Sequence, residues 1–366
     1  MKISTNKIKI KETLFLESGR VLEDIELIYE TYGTLNKLKS NVILVTHGLS
    51  ASHHAAGYYE NDRKPGWWDD LIGAEKLLDS NKYFIICISN IGSCYGSTSP
   101  LSINPETKKE YRLNFPVLTI SDIVNAQKML FKKLEIEKVK IIIGGSMGGM
   151  QALCYAIEHP YFAEKIIAIS TTGYTRPLAI ALNKIGIESI RKDKDFEDGY
   201  YDKEKIKEKG LVGLSIARMV GHISYLTNDS MEEKFGRRYL EKDGLYELFG
   251  NFEVERYLEY NGEKFSREFD PLSYIYILKT LSIFNISRNQ ESIEDTLKKI
   301  KAKLYLISFS GDLLFKSEEM KEIEEIMIGN GQKDLVEYKE IDSSYGHDSF
   351  LVEAKKLSTI LKNIVD

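Results

Sequence analysis

Short apolar runs recur along the chain, separated by longer stretches whose apolar residues repeat at helical spacing. NVILVTHG (41–48), KYFIICISNIG (82–92), KVKIIIGG (138–145), KIIAIS (165–170) and KLYLISFSGD (303–312) are β-rich and apolar almost throughout, the pattern of central strands covered on both faces. Between them, SDIVNAQKMLFKKLEI (121–136) and the segment after Ser146 read as helices. This alternation predicts an α/β domain with a mostly parallel sheet and right-handed crossovers. Near the end, LVEYKEID (335–342) reads as a further strand and EAKKLSTILKNI (353–364) as the last helix.

The rhythm stops after about Thr175 and resumes at Lys303. In between, the chain is charged, rich in Tyr and Phe, and helical in pattern, with EEKFGRRYLEKD (232–243) and SYIYILKTLSIF (273–284) as examples. The economical division is a core formed by 1–174 and 296–366, interrupted by a helical insertion at 175–295. Within the insertion, the charge run RKDKDFEDGYYDKEKIKEKG (191–210) is expected to be a solvated helix or loop.

Composition narrows the classes without naming one. With 366 residues, 43% hydrophobic and 29% charged, the chain has the balance of a soluble globular protein. A net charge of −5, spread rather than blocked, argues against nucleic acid or an anionic membrane as partner. The N-terminus MKISTNKIKIKETLFLESG alternates charged and apolar residues and lacks the form of a signal peptide. No apolar run approaches the roughly 20 residues that span a bilayer. Cys87, Cys94 and Cys154 form no CxxC pair or metal-ligand spacing, so reduced, buried thiols in a cytoplasmic protein are expected, with no metal.

The candidate chemistry centres on Gly144, Gly145, Ser146, Met147 and Gly148, a G-x-S-x-G placed where a strand ends and a helix begins. Such a turn strains the serine and needs small neighbours, leaving the hydroxyl exposed at the C-terminal edge of the sheet. A serine nucleophile needs a base, and the base a carboxylate, in the chain order Ser, Asp or Glu, His for an α/β hydrolase. Asp312 directly follows the strand KLYLISFSG, and His347 lies in SSYGHDSF before the last helix, so both fall at that same edge. Of the other histidines, His159 closes the helix after Ser146, where a cation is mildly favourable. His53 and His54 lack a matching acidic cluster for metal binding, and His47 belongs to THGLS after the first apolar strand. In this fold that loop supplies an oxyanion donor, so the backbone N–H groups of Leu49 and Met147 are the expected oxyanion hole.

KPGWWDDLIG (64–73), CYGSTSPLSINPET (94–107), FPVLTISDIVNAQ (115–127), GGSMGGMQAL (144–153), ARMVGHISYLT (217–227), EEKFGRR (232–238) and GHDSF (346–350) together resemble the homoserine O-acetyltransferase family. The resemblance implies an α/β-hydrolase fold whose helical lid also mediates a homodimer. It implies, further, transfer of an acyl group from acetyl-CoA, a cosubstrate rather than a bound cofactor, to the hydroxyl of L-homoserine in methionine biosynthesis. Ser146, Asp312 and His347 match the family's triad, Arg218 its carboxylate-binding arginine, and Asp348 the residue near the substrate ammonium. Read from the residues alone, a lid salt bridge for Arg218 and an N-cap of the last helix for Asp348 are the favoured readings. The chain departs from the family at THGLSAS, Ser93 and Ser99, all near the nucleophile, where donor and acceptor choice are decided. Homoserine O-succinyltransferases and serine O-acetyltransferases of the same family are the neighbouring readings. An esterase with the same triad is the hydrolytic one, and a silent scaffold would need a broken triad. Lys64, Arg176 and Arg237 are available cations for the CoA phosphates, with nothing to choose among them.

Overall fold

The computed structural model describes residues 1–60, 64–241, 246–249 and 252–365. Eight strands form its central sheet: β1 (Ile3–Ile10), β2 (Ile25–Tyr32), β3 (Val42–Thr46), β4 (Phe84–Ile88), β5 (Val139–Gly145), β6 (Ala163–Ile169), β7 (Lys303–Phe309) and β8 (Val336–Ile341). Their order across the sheet is β1-β2-β4-β3-β5-β6-β7-β8. The strands from β4 to β8 in that order are parallel. β1 pairs antiparallel with β2, and β2 antiparallel with β4. The charged and apolar alternation of the N-terminus therefore belongs to a half-exposed outer strand, whereas β3 is buried along its whole length.

Alternate strand residues feed two apolar layers. Leu44, Ile142, Ile166 and Leu306 face helices α1 (Ile120–Lys133) and α2 (Met147–Glu158). Val45, Ile143, Ile167 and Ile307 face Trp68 and the last helix, Ala354–Val365, through Leu357 and Leu361. The two-residue period of a strand sorts the side chains this way. α1 begins at Ile120, one residue before its predicted start, because Thr119 and Asp122 cap it reciprocally: the Asp122 N–H donates to Thr119 Oγ1 at 3.2 Å and the Thr119 N–H to Asp122 Oδ2 at 2.8 Å. It stops at Lys133, before the predicted end, and Glu135 turns the chain at φ 53°.

Between β6 and β7 lie, among the described residues, seven α-helices: α3 (Pro177–Arg191), α4 (Lys203–Lys209), α5 (Val212–Tyr225), α6 (Asn228–Phe235), α7 (Glu253–Glu268), α8 (Pro271–Ser282) and α9 (Ile293–Leu297). Two local expectations need correction here. The run at 191–210 is not merely solvated, because Phe196, Tyr201 and Ile206 are buried and fasten it to the layer below. EEKFGRRYLEKD is helical only as far as Phe235; Gly236 at φ 51° ends the helix, Tyr239 bridges to Phe252, and Lys242 and Asp243 lie outside the described residues. Among the described residues, no helix is long and apolar enough to cross a membrane.

Candidate active site

The parallel strands end at one edge, and four of them deliver the residues singled out above. Ser146 follows β5 directly at φ 58° and ψ −123°, a conformation costly for any residue with a side chain. Its N–H donates to the Ile169 carbonyl at 2.9 Å, and its own carbonyl accepts from the Met150 N–H at 3.1 Å, so both flanks hold the turn. The neighbouring glycines are required by close approach. A Cβ on Gly148 would stand 2.1 Å from the Thr46 carbonyl oxygen, and one on Gly145 2.3 Å from the Phe350 ring. Neither contact is sterically possible, so α2 starts against β3, and the end of β5 lies against Phe350, only because these positions carry no side chain.

Asp312 comes off the end of β7. Its Oδ1 accepts the N–H groups of Leu314 (2.9 Å) and Phe315 (3.0 Å), which leaves Oδ2 for His347 Nδ1 at 2.8 Å. His347 Nε2 in turn lies 2.8 Å from Ser146 Oγ. A carboxylate at Nδ1 fixes the proton there, so Nε2 is the acceptor facing the hydroxyl. Burial by itself pulls the His347 pKa down; the charge and hydrogen bond of Asp312, joined by the Asp348 charge, outweigh it and hold the pKa above the ordinary imidazole value. The loop carrying His347 is clasped by Ser343, whose Oγ accepts from Ser349 Oγ (2.9 Å) and the Tyr345 N–H (3.2 Å) and donates to Glu353 Oε1 (2.9 Å).

Ser146 and His347 open into a cavity of about 270 Å³ that the core closes with Leu49, Trp67 and Asp348 and the inserted helices close with Arg218, Tyr225 and Leu278. Arg218 stacks over Phe265 at 4.5 Å, and its Nη1 reaches Ser50 Oγ at 3.4 Å. It makes no ion pair among the described residues, so the lid salt bridge is not formed. Asp348 makes no capping hydrogen bond at the short helix Ser349–Val352 that it precedes. Burial raises its pKa, against the pull of His347, Arg218 and Lys234. One cation and one carboxyl thus face the same cavity as the serine. Leu49 lines that cavity, and its loop lies close to the serine turn, since a Cβ on Gly48 would be 3.8 Å from the Gly145 carbonyl. Met147 is the first residue of α2, where a helix leaves N–H groups without intrahelical partners.

Other expected groups fall elsewhere. His159 does cap α2, but burial, with Lys128 nearby, pushes its pKa down to about 4; it is neutral and adds no charge to the helix end. His54 Nδ1 faces the buried Glu30 carboxylate at 3.0 Å. The three cysteines are free, and burial raises their thiol pKa values, that of Cys94 to about 12. Arg176 is engaged by Glu322 and stacks on Tyr174 at 4.0 Å, Arg237 lies 5.5 Å from the Phe252 ring, and Lys64 is exposed; none lines the cavity. The sequence did not single out Trp67 and Tyr225 as cavity walls, nor a buried polar group formed by His47, Asn90, Gln127, Gln151 and Tyr155. Polar residues embedded in otherwise apolar strand and helix patterns were the available signal.

A family model described as the alpha/beta hydrolase fold matches residues 41–354. The homoserine O-acetyltransferase of Nautilia profundicola is 57% identical over 366 residues, covering 100% of this chain and 99% of that protein. Among solved structures, homoserine O-acetyltransferase from Bacillus anthracis superposes with a TM-score of 0.92 at 29% identity, over 100% of this chain and 98% of the other. Esterase E22 superposes with a TM-score of 0.89 at 27% identity, over 100% of both chains.

Proposed function

The chain belongs to the homoserine O-acetyltransferase family, and from that membership we propose that it moves the acetyl group of acetyl-CoA to the side-chain hydroxyl of L-homoserine, a step of methionine biosynthesis. The observation that carries the assignment of roles is the meeting of Ser146, His347 and Asp312, two contacts of 2.8 Å, in a cavity that also presents Arg218 and Asp348. An amino acid is a zwitterion, and a guanidinium paired with a carboxyl across one cavity is its complement.

In the first half-reaction, His347 Nε2 takes the Ser146 Oγ proton as Oγ attacks the thioester carbonyl carbon. The N–H groups of Leu49 and Met147 hold the oxyanion. The C–S bond breaks, and the leaving CoA sulfur takes the proton from His347. In the second, the homoserine hydroxyl gives its proton to His347 and attacks the acetyl carbon. The bond to Ser146 Oγ breaks, and Oγ recovers the proton. Arg218 grips the homoserine carboxylate and Asp348 its ammonium, whose charge favours ionisation of a carboxyl that burial alone disfavours.

The same triad hydrolyses esters if water reaches the acetyl-enzyme. On this reading the insertion 175–295 is a lid over the core parts 1–174 and 296–366, and it keeps water out while the acceptor is positioned. The lid also serves as the contact between two copies of the chain. Supporting this, α5 exposes Val212, Ile216 and Ile223 along one stripe, and α3 exposes Leu178 and Ile185 one heptad apart. A cytoplasmic location completes the reading and agrees with three free thiols.

The test is thiol release by the purified protein given acetyl-CoA or succinyl-CoA, each with homoserine, with serine, or alone. Release that requires acetyl-CoA and homoserine together is expected. Succinyl-CoA or serine serving as well moves the assignment to a neighbouring acyltransferase, and turnover without an acceptor moves it to a hydrolase. Ser146→Ala should abolish turnover in every arm.

A further inference from the structure

Beneath the Leu49 loop runs a chain of five polar side chains, His47, Asn90, Gln127, Gln151 and Tyr155, each at most 1% exposed. Tyr155 OH donates to Gln127 Oε1 at 3.1 Å, and Gln127 Nε2 donates to Gln151 Oε1 at 2.8 Å and to Asn90 Oδ1 at 3.0 Å. Gln151 Nε2 donates to the carbonyl oxygens of His47 (3.0 Å) and Met147 (3.3 Å). The Asn90 N–H donates to His47 Nε2 at 3.0 Å, and His47 Nδ1 lies 2.9 Å from the Gly48 carbonyl oxygen.

The direction of every bond follows from two fixed ends. Backbone carbonyls only accept, so Gln151 must turn its amine toward His47 and Met147. Its oxygen then faces Gln127, whose amine must supply both remaining hydrogens, and Tyr155 satisfies the Gln127 oxygen. At the other end, the Asn90 backbone N–H only donates, so His47 Nε2 accepts and the ring proton sits on Nδ1, where it is donated to the Gly48 carbonyl. Burial keeps the ring neutral, with its pKa pushed down to about 4.

That last bond reaches the reaction. The Gly48 carbonyl and the Leu49 N–H belong to one planar trans peptide and point in opposite directions. With the carbonyl held by His47 on the core side, the Leu49 N–H is directed the other way, toward the cavity that Leu49 lines. Gln151 spans the two segments concerned, since it holds the main chain of His47 from the loop and of Met147 from α2.

We propose that Gln151 is a positioning residue for the oxyanion hole: through His47 it sets the plane of the Gly48–Leu49 peptide and ties it to the start of α2, so that the Leu49 and Met147 N–H groups converge on one point. This rests on the acyl-transfer reading above. Half-filled buried networks are worse than apolar packing, and a core that needed only volume here would use an apolar side chain at position 151.

Two variants test it: Gln151→Met, which keeps shape and removes both bonds to carbonyls, and Gln151→Glu, which keeps the acceptor facing Gln127 but sets an oxygen against those carbonyls. Active sites are counted from the first-turnover burst of CoA. An oxyanion forms in both half-reactions, so kcat/KM for acetyl-CoA and kcat/KM for homoserine should fall by the same factor, about 10- to 100-fold, somewhat less than outright loss of a donor. Thr280→Val removes a different buried bond, 2.9 Å to the Leu118 carbonyl, and should leave both constants within about twofold once corrected for active sites. The proposal is overturned if the Gln151 variants keep both constants, if only the homoserine constant falls, or if Thr280→Val loses as much. Ser146→Ala in the same assay separates the two readings: a burst that survives sinks the nucleophile assignment, whereas its loss leaves that assignment standing whatever Gln151 does.

Discussion

Changing Arg218 to lysine separates a substrate clamp from a lid fastener. Among the described residues, the guanidinium has one long hydrogen bond, 3.4 Å to Ser50, and a face stacked 4.5 Å from Phe265. A lysine keeps the charge and much of the aliphatic packing, so the folded state should lose only the stacking difference, about 0.5–1 kcal/mol. Toward a bound carboxylate the loss is larger. The planar fork makes two charge-assisted bonds where an ammonium makes one, and each is worth about 1.5–3 kcal/mol. At 1.36 kcal/mol per tenfold, kcat/KM for homoserine should fall roughly 10- to 150-fold. In the proposed order acetyl-CoA reacts before homoserine binds, so the CoA burst rate and kcat/KM for acetyl-CoA should stay near wild type. Initial rates over a grid of both substrates, with a stopped-flow burst lacking homoserine, give all three numbers. An equal fall in both constants, or a burst slowed as much as turnover, would refute the clamp and assign Arg218 to holding the lid.

Asp312→Asn removes the charge that keeps the His347 pKa up, so burial is left with only Asp348 against it. His347 acts when neutral, and activity is lost as pH falls through its pKa; the acid limb of kcat/KM for acetyl-CoA should therefore move from above about 6.5 to lower pH, with the plateau down by about 10⁴-fold. An unmoved limb in a pH–rate series would mean that another group controls it. Gly148→Ala forces a Cβ to 2.1 Å from the Thr46 carbonyl, whereas Gly329→Ala meets nothing within 4 Å. Urea unfolding should show about 1–3 kcal/mol or more lost in the first and no loss in the second. Replacing Val212 and Ile216 by aspartate should convert a dimer to monomer in sedimentation velocity; an unchanged coefficient would place the contact elsewhere.

Much of the site was legible because local pattern determines it. Fully apolar runs marked the inner strands, and G-x-S-x-G at the end of one of them marked a turn that only small neighbours allow. Asp312 and His347 were found by asking which acid and which histidine follow a strand. The outer strand β1 was less legible, since the charged and apolar alternation of a half-exposed edge gives no sign of which strand it joins. His159 was read as a helix-end cation, but its charge depends on burial beside Tyr155 and on the Lys128 charge nearby, which no local pattern reports.

By itself, then, the sequence determined the alternating elements, the serine turn and the types of the residues that meet there, because each depends on neighbours within a few positions. Only the tertiary structure decided that His347 comes within 2.8 Å of a serine 201 residues away, that Arg218 and Asp348 share its cavity, and that Gln151 grips the main chain of His47 across 104 residues. Those distances are set by strand order and by packing on both faces of the sheet, and a buried polar network such as that of Gln151 acquires its direction only once every partner is in place.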